Sequence, residues 1–183
     1  MHPGLSTRRI AAAVALSLAA VAGARAQALL AGEQELKVAF VYRIALFVEW
    51  PAESLPAGSP FQICSLGSEP AWTAAFGTLD GRKVQGHPVA PVRLLARGDE
   101  PRGCHVLFVP EREGRKPPPQ QPGLLTVGEG EAFVAAGGMV GFVREGANLR
   151  FDIQRDAATR AQLRLPSELL KVARNVVDGG GRP

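Results

Sequence analysis

The chain has 183 residues, with 21 Lys and Arg against 17 Asp and Glu, a formal charge of +4. Three of the basic residues (Arg8, Arg9 and Arg25) and none of the acids fall in the first 26 positions, so the remainder holds 18 basic and 17 acidic groups. A near-neutral remainder has no broad electrostatic footprint for nucleic acid, whose binding rests on clustered phosphate contacts, and none is expected as a partner. Its length of about 157 residues suits one domain with a real core.

Met1–Arg9 is basic, Ile10–Ala22 is apolar and Ala-rich, and Ala24-Arg25-Ala26 follows. Together these describe a secretory leader cleaved after Ala26. The apolar run is short of the roughly 20 residues a membrane-spanning helix needs. The expected organisation is therefore a signal peptide over 1–26, a short mature segment over 27–34, one domain over 35–177 and a flexible tail over 178–183. The expected location is the periplasm.

From Glu33 to Trp50, Leu36, Phe40, Ile44, Phe47 and Val48 recur at helical spacing, and Pro51 stops the helix. Phe61–Leu66 reads as a strand closed by Gly67. Pro70–Leu79 reads as a helix ending at the Asp80-Gly81 turn. Pro88–Leu95 reads as a second strand. His105–Val109 is an apolar run, as in a strand buried on both faces, and Leu124–Val127 resembles it. Pro110–Pro122, centred on Pro117-Pro118-Pro119, is a stiff surface loop. Met139–Val143 and Asn148–Ile153 pair as a hairpin around residues 144–147. Asp156 caps a short helix through Leu163, and Pro166-Ser167 opens a last helix over Glu168–Val177 before Gly179-Gly180-Gly181. The pattern predicts a single Rossmann-like α/β layered domain. Its sheet is largely parallel with an antiparallel C-terminal hairpin, and two helices cover each face.

Little in the sequence points to catalysis. After the leader the only histidines are His87 and His105. No pair has metal-ligand spacing, and there is no Cys-x-x-Cys, His-Glu-x-x-His, nucleophile elbow or phosphate loop. Gly128-x-Gly130 lacks the third glycine of a dinucleotide loop. The expected protein is not an enzyme and takes no cofactor or metal. Cys64 and Cys104 are the only cysteines, and in an oxidising compartment two cysteines on neighbouring strands pair. Such a bond is either a plain staple or one whose redox state tunes a binding surface. Phe47, Trp50 and Pro51 close the first helix, either completing the core or anchoring an interface. Arg150 and Arg155 flank the final strand, where they either face an acidic partner or are simply solvated.

The string Val38-Ala39-Phe40-Val41-Tyr42-Arg43-Ile44-Ala45-Leu46-Phe47-Val48-Glu49-Trp50-Pro51 resembles the opening helix of YfiR-like proteins. In the same order follow Ile63-Cys64-Ser65-Leu66-Gly67, Leu79–Gly86, Cys104–Val109, Gly137–Val140, Leu149–Ile153 and Leu163–Leu170, so the likeness runs from about Glu35 to Arg174. It implies a periplasmic regulator without catalytic residues, which represses an inner-membrane diguanylate cyclase through that enzyme's periplasmic sensor domain. It also implies homodimers, an outer-membrane-associated sequestering partner, and redox-sensitive cysteines to which Cys64 and Cys104 correspond by motif. The family's further cysteines are missing here. Arg43 stands where asparagine is common, Gly141 where a larger polar residue is common, and Pro117–Pro119 where a helical stretch is common. A second reading is a periplasmic small-ligand sensor with its crevice at the carboxyl ends of the parallel strands.

Overall fold

The first helix, α1, covers residues 32–47 of a computed structural model that describes residues 32–114 and 117–178. The expected leader, its cleavage point and the terminal glycine run lie outside the described residues. On α1, Val38, Val41, Ile44 and Ala45 are buried together with Val48 just beyond it. The helix stops short of Trp50 because the main chain finds another partner. Glu49 and Arg164 exchange amide-to-carbonyl hydrogen bonds of 2.9 and 3.1 Å, an antiparallel bridge.

Strand β1 spans Ile63–Leu66, shorter than expected. Phe61 is instead held in an isolated parallel bridge to Val89, and the Gln62 amide donates to His105 Nδ1 at 2.9 Å. Helix α2 (Pro70–Gly77) opens on its proline and turns Trp72, Ala75 and Phe76 inward. The single strand expected over Pro88–Leu95 is two pieces. His87–Pro88 (β3) pairs with Lys83–Val84 (β2) across a Gln85-Gly86 turn whose two residues have φ of 50° and 89°, the signature of a tight two-residue hairpin. Arg93–Leu95 (β4) joins the main sheet. Pro91 lies between them and has no amide to donate to a ladder.

Strand β5 (Val106–Val109) is buried at all four positions, and β6 is Leu125–Glu129. The loop between them contains a 3-10 turn at Glu111–Glu113. Helix α3 (Glu131–Ala135) was not expected, since five residues are too few to display a helical period. The hairpin forms as read, from β7 (Val140–Glu145) and β8 (Asn148–Gln154) in antiparallel register. Helix α4 spans Arg155–Arg160, with Gln154 rather than Asp156 at its N-cap; Asp156 sits in the first turn.

The last expected helix is corrected. Helix α5 covers only Ser167–Val172, and Asn175–Val177 form a strand, β9, parallel to β8. The turn is pinned at Arg174, whose amide donates to Phe151 O at 2.8 Å and whose Nε donates to the buried Asp152 Oδ1 at 2.9 Å. Two consecutive β-branched valines then favour the extended chain.

Among the described residues, seven of the nine strands form the main sheet, in the order β4-β1-β5-β6-β7-β8-β9, and β2 and β3 pair apart from it. Every pairing from β4 to β7 is parallel, and β7–β8 is antiparallel. This is the mixed α/β layered architecture read from the sequence. Alternate residues of the strands feed two cores. Ile63, Val106, Phe108, Leu125, Val127, Val140 and Phe142 meet side chains from α1, α2, α4 and α5. Cys64, Leu107 and Val109 meet Leu95, Cys104, Leu124 and Phe133 of α3. Among the described residues helices therefore cover both faces, but four serve one face and a single short helix the other. Phe133 stacks directly over Gly128 and Gly138, where an added Cβ would come within 2.6 and 2.1 Å of its ring.

Candidate partner-binding surface

Helix α1 carries more apolar surface than its buried face requires. A second stripe at three- and four-residue spacing, Leu36, Ala39, Phe40, Arg43 and Phe47, faces outward beside α5. Leu36 and Phe47 are 46% and 47% exposed, and Val172 at the end of α5 is 59% exposed. Phe40 is half-buried, with its ring edge-on to Phe142 and Phe151, both at 6.1 Å between centroids. Ile44, Phe151 and Leu169 floor the resulting groove, whose volume is about 410 Å³. Arg43 is the one charged residue in its lining. Contiguous exposed apolar surface of this kind marks an interaction site more often than an accident of packing.

The structure separates the residues singled out in the sequence. Phe47 lines the groove. Trp50 does not: its ring stands edge-on to Phe61 at 5.1 Å and its indole N–H donates to Gly123 O at 3.1 Å. Pro51 begins a turn, its carbonyl accepting from the amides of Ser54 (2.9 Å) and Leu55 (3.2 Å). Arg150 is the strand neighbour of Phe151 and so projects from the opposite face of the sheet, where it pairs with Glu145 at 3.6 Å. Arg155 pairs with Asp178 at 2.8 Å. Leu36, Leu169 and Val172 are not singled out by the sequence as surface residues, and Arg43 only as a departure from the family's usual asparagine. Leu36 and Phe47 both belong to the set of residues at helical spacing over Glu33–Trp50. The available signal was that α1 is apolar along two stripes, while a surface helix needs only one.

Cys64 and Cys104 form a disulfide, with Cα atoms 5.8 Å apart. Both are buried. It joins β1 to the residue before His105 and β5, and Arg93 of β4 donates from Nη2 to Cys104 Sγ at 2.9 Å. His105, next along, is buried and stacked on Phe61 at 4.9 Å. Because an amide can only donate, the Gln62 bond makes Nδ1 the acceptor. Nε2–H then donates to Ser54 O at 2.9 Å. Burial first, aided by nearby His87, holds the imidazole below its ordinary pKa.

The chain order reverses between β1 and β5, the place where open α/β sheets usually bind ligands. The clefts there and over β6 measure about 310 and 340 Å³. Several of their charges are engaged with one another. Lys37 bridges Glu33, at 2.7 Å, and Glu129, while the Glu111 amide donates to the other Glu129 oxygen at 2.7 Å. Arg144 also pairs with Glu33, and Arg112 lies 3.3 Å from Glu69. Burial opposes the charge on Lys37, but its bonds to Glu129 and Glu33 outweigh that and raise its pKa. The Lys37 bond in turn lowers that of Glu33. Among the described residues, no group of three or more His, Cys, Asp or Glu side chains is placed to hold a metal ion, and no helix is long and apolar enough to cross a membrane.

An open α/β sheet that carries an apolar surface groove, and whose strand-end Glu129 is already bonded to Lys37 and the Glu111 amide, has the makings of a binding module. The family model described as YfiR/HmsC-like matches residues 34–174, and the chain belongs to that family. The family is periplasmic and regulatory, and it acts through a partner in the cyclic-di-GMP pathway. A search of curated proteins finds no match for the chain.

Proposed function

We propose that this protein is an exported, non-catalytic inhibitor of an inner-membrane diguanylate cyclase, binding that enzyme's periplasmic sensor domain and lowering cyclic-di-GMP. Family membership over 34–174 supports the pathway. The observation that carries the binding role is the groove of α1 and α5, which leaves Leu36, Phe47 and Val172 about half exposed on an otherwise well-buried helical layer. Aromatic side chains such as Phe47 are enriched at protein interfaces relative to the rest of the surface. Homodimerisation and sequestration by an outer-membrane-associated protein belong to the same proposal. The test is cellular cyclic-di-GMP in a deletion strain complemented with the wild-type chain or with Phe47→Asp. Deletion raises the level, wild type restores it, and Phe47→Asp, exported in equal amount, does not. An unchanged level on deletion would end the proposal.

A further inference from the structure

Arg43 sits among the apolar residues of the groove with no counter-charge. Among the described residues no carboxylate lies within ion-pair distance of it, although Glu35 and Arg82 border a neighbouring cleft that Arg43 also lines; Arg144, Arg155, Arg164 and Arg174, by contrast, each have an acidic partner. It projects from the middle of the stripe, seven residues after Leu36 and four before Phe47. That stripe rises about 16 Å from Leu36 to Phe47, the length of three helical turns.

From this we propose that the groove receives an amphipathic helix of about three turns from the partner, with its apolar face on Leu36, Phe47 and Val172 and a carboxylate against Arg43. This rests on the inhibitor reading above and names the kind of segment that reading requires. In helix-in-groove recognition the incoming helix places anchors at i, i+3 or i+4 and i+7 into an apolar groove, and the groove between α1 and α5 is lined along three turns of α1 by Leu36, Phe40 and Phe47. A carboxylate meeting Arg43 sets the register of the incoming helix and rejects basic competitors, which is what interfacial charges do best.

The same residue argues against a second copy of this chain as the occupant. In a two-fold pairing of α1 with itself, centred on the stripe, residues near its middle meet their own symmetry mates. The two Arg43 guanidinium groups would then lie within about 5 Å of each other along the helix axis, with no acid in the groove lining to separate them.

The test uses two labelled 15-residue peptides built as amphipathic helices, identical except for Glu or Lys at the centre of the apolar face. Each is titrated against the purified exported chain and read by fluorescence anisotropy. The Glu peptide is expected to bind at least tenfold more tightly than the Lys peptide, with an advantage that shrinks as salt is raised. Arg43→Glu reverses the preference, and Phe47→Asp weakens both peptides. Because Arg43 is exposed and unpaired, its substitution leaves the fold intact, as circular dichroism checks. Failure of both peptides to bind, equal binding, or a preference that survives Arg43→Glu would overturn the proposal. So would a dimer, seen by sedimentation, that Phe47→Asp dissolves. In cells the two levels separate. If deletion raises cyclic-di-GMP but Arg43→Glu restores it fully, the groove assignment fails and the regulatory reading stands. If deletion changes nothing, the regulatory reading fails and the titration still decides the groove.

Discussion

Replacing both cysteines, Cys64→Ala with Cys104→Ala, isolates what the disulfide does for stability. The bond closes a loop over a sequence separation of 40 residues. For a loop of about 40 residues the chain-entropy relation gives a loss of about 13 cal/mol/K in the unfolded ensemble, or about 4 kcal/mol at 25 °C. Alanine avoids burying a new hydroxyl at two sites that are nearly solvent-free, so the entropic effect dominates the change. In urea, with a slope of about 2 kcal/mol/M, the midpoint falls by about 2 M; on heating, Tm drops by about 12 °C for a domain of this size. Domains of this size commonly have 5–15 kcal/mol in hand, so the variant remains folded at room temperature. Wild type unfolded and refolded in a dithiol reductant should give nearly the same midpoint as the alanine pair, since both have lost the same closed loop. A midpoint shift worth less than about 1 kcal/mol in the alanine pair would refute the reasoning. It would show that residual structure already confines the unfolded chain between β1 and β5.

Three further outcomes follow from particular contacts. Gly141→Ala places a Cβ 2.6 Å from Val134 Cγ2 and 2.9 Å from the Gly130 carbonyl. Urea unfolding should show a loss of about 1–3 kcal/mol, only partly recovered by adding Val134→Ala because the carbonyl cannot withdraw. His105 has a folded pKa below its ordinary value of about 6.5, so the unfolded chain takes up its proton more readily than the folded one. Its contribution to stability is therefore complete above that value and is lost as pH falls through the folded pKa. The urea midpoint should decline between pH 7.5 and 5.5, and His105→Asn should flatten that decline. Arg174→Gln leaves the buried Asp152 carboxylate without its cation and weakens the tie to Glu131, 2.6 Å away. Amides of Asn175–Val177 should exchange faster with solvent, and Asp152→Asn in the same chain should slow them again.

How far the residues announced this architecture depends on how each element is held. Val106–Val109 and Leu125–Glu129 were legible because a strand buried on both faces must be apolar throughout. The β7–β8 hairpin was legible because its alternation is interrupted by a turn residue, Gly146, at φ 61°. What was hidden depends on long-range partners. No local pattern tells Asn175–Val177 to leave the helix. That follows from Arg174 reaching Asp152, 22 residues back in sequence. The end of α1 is likewise set by Arg164 rather than by Pro51. At the apolar groove, Phe47 was visible as an aromatic at a helix end. Trp50 looked equivalent, and its partly buried ring is held by Phe61 and Gly123, which come from elsewhere in the chain to receive it. Arg43 was visible only as a departure from the family pattern. Its place in the groove needed α5 beside it.

The account's central claim is most directly tested on the cyclase itself. The full-length enzyme would be reconstituted in nanodiscs, the purified chain added, and the rate of cyclic-di-GMP formation followed. A saturable fall in rate, weakened by Phe47→Asp, is the predicted result. A rate unchanged at a concentration that saturates binding to the sensor domain, or no binding to any periplasmic sensor domain of the cell's cyclases, would contradict it.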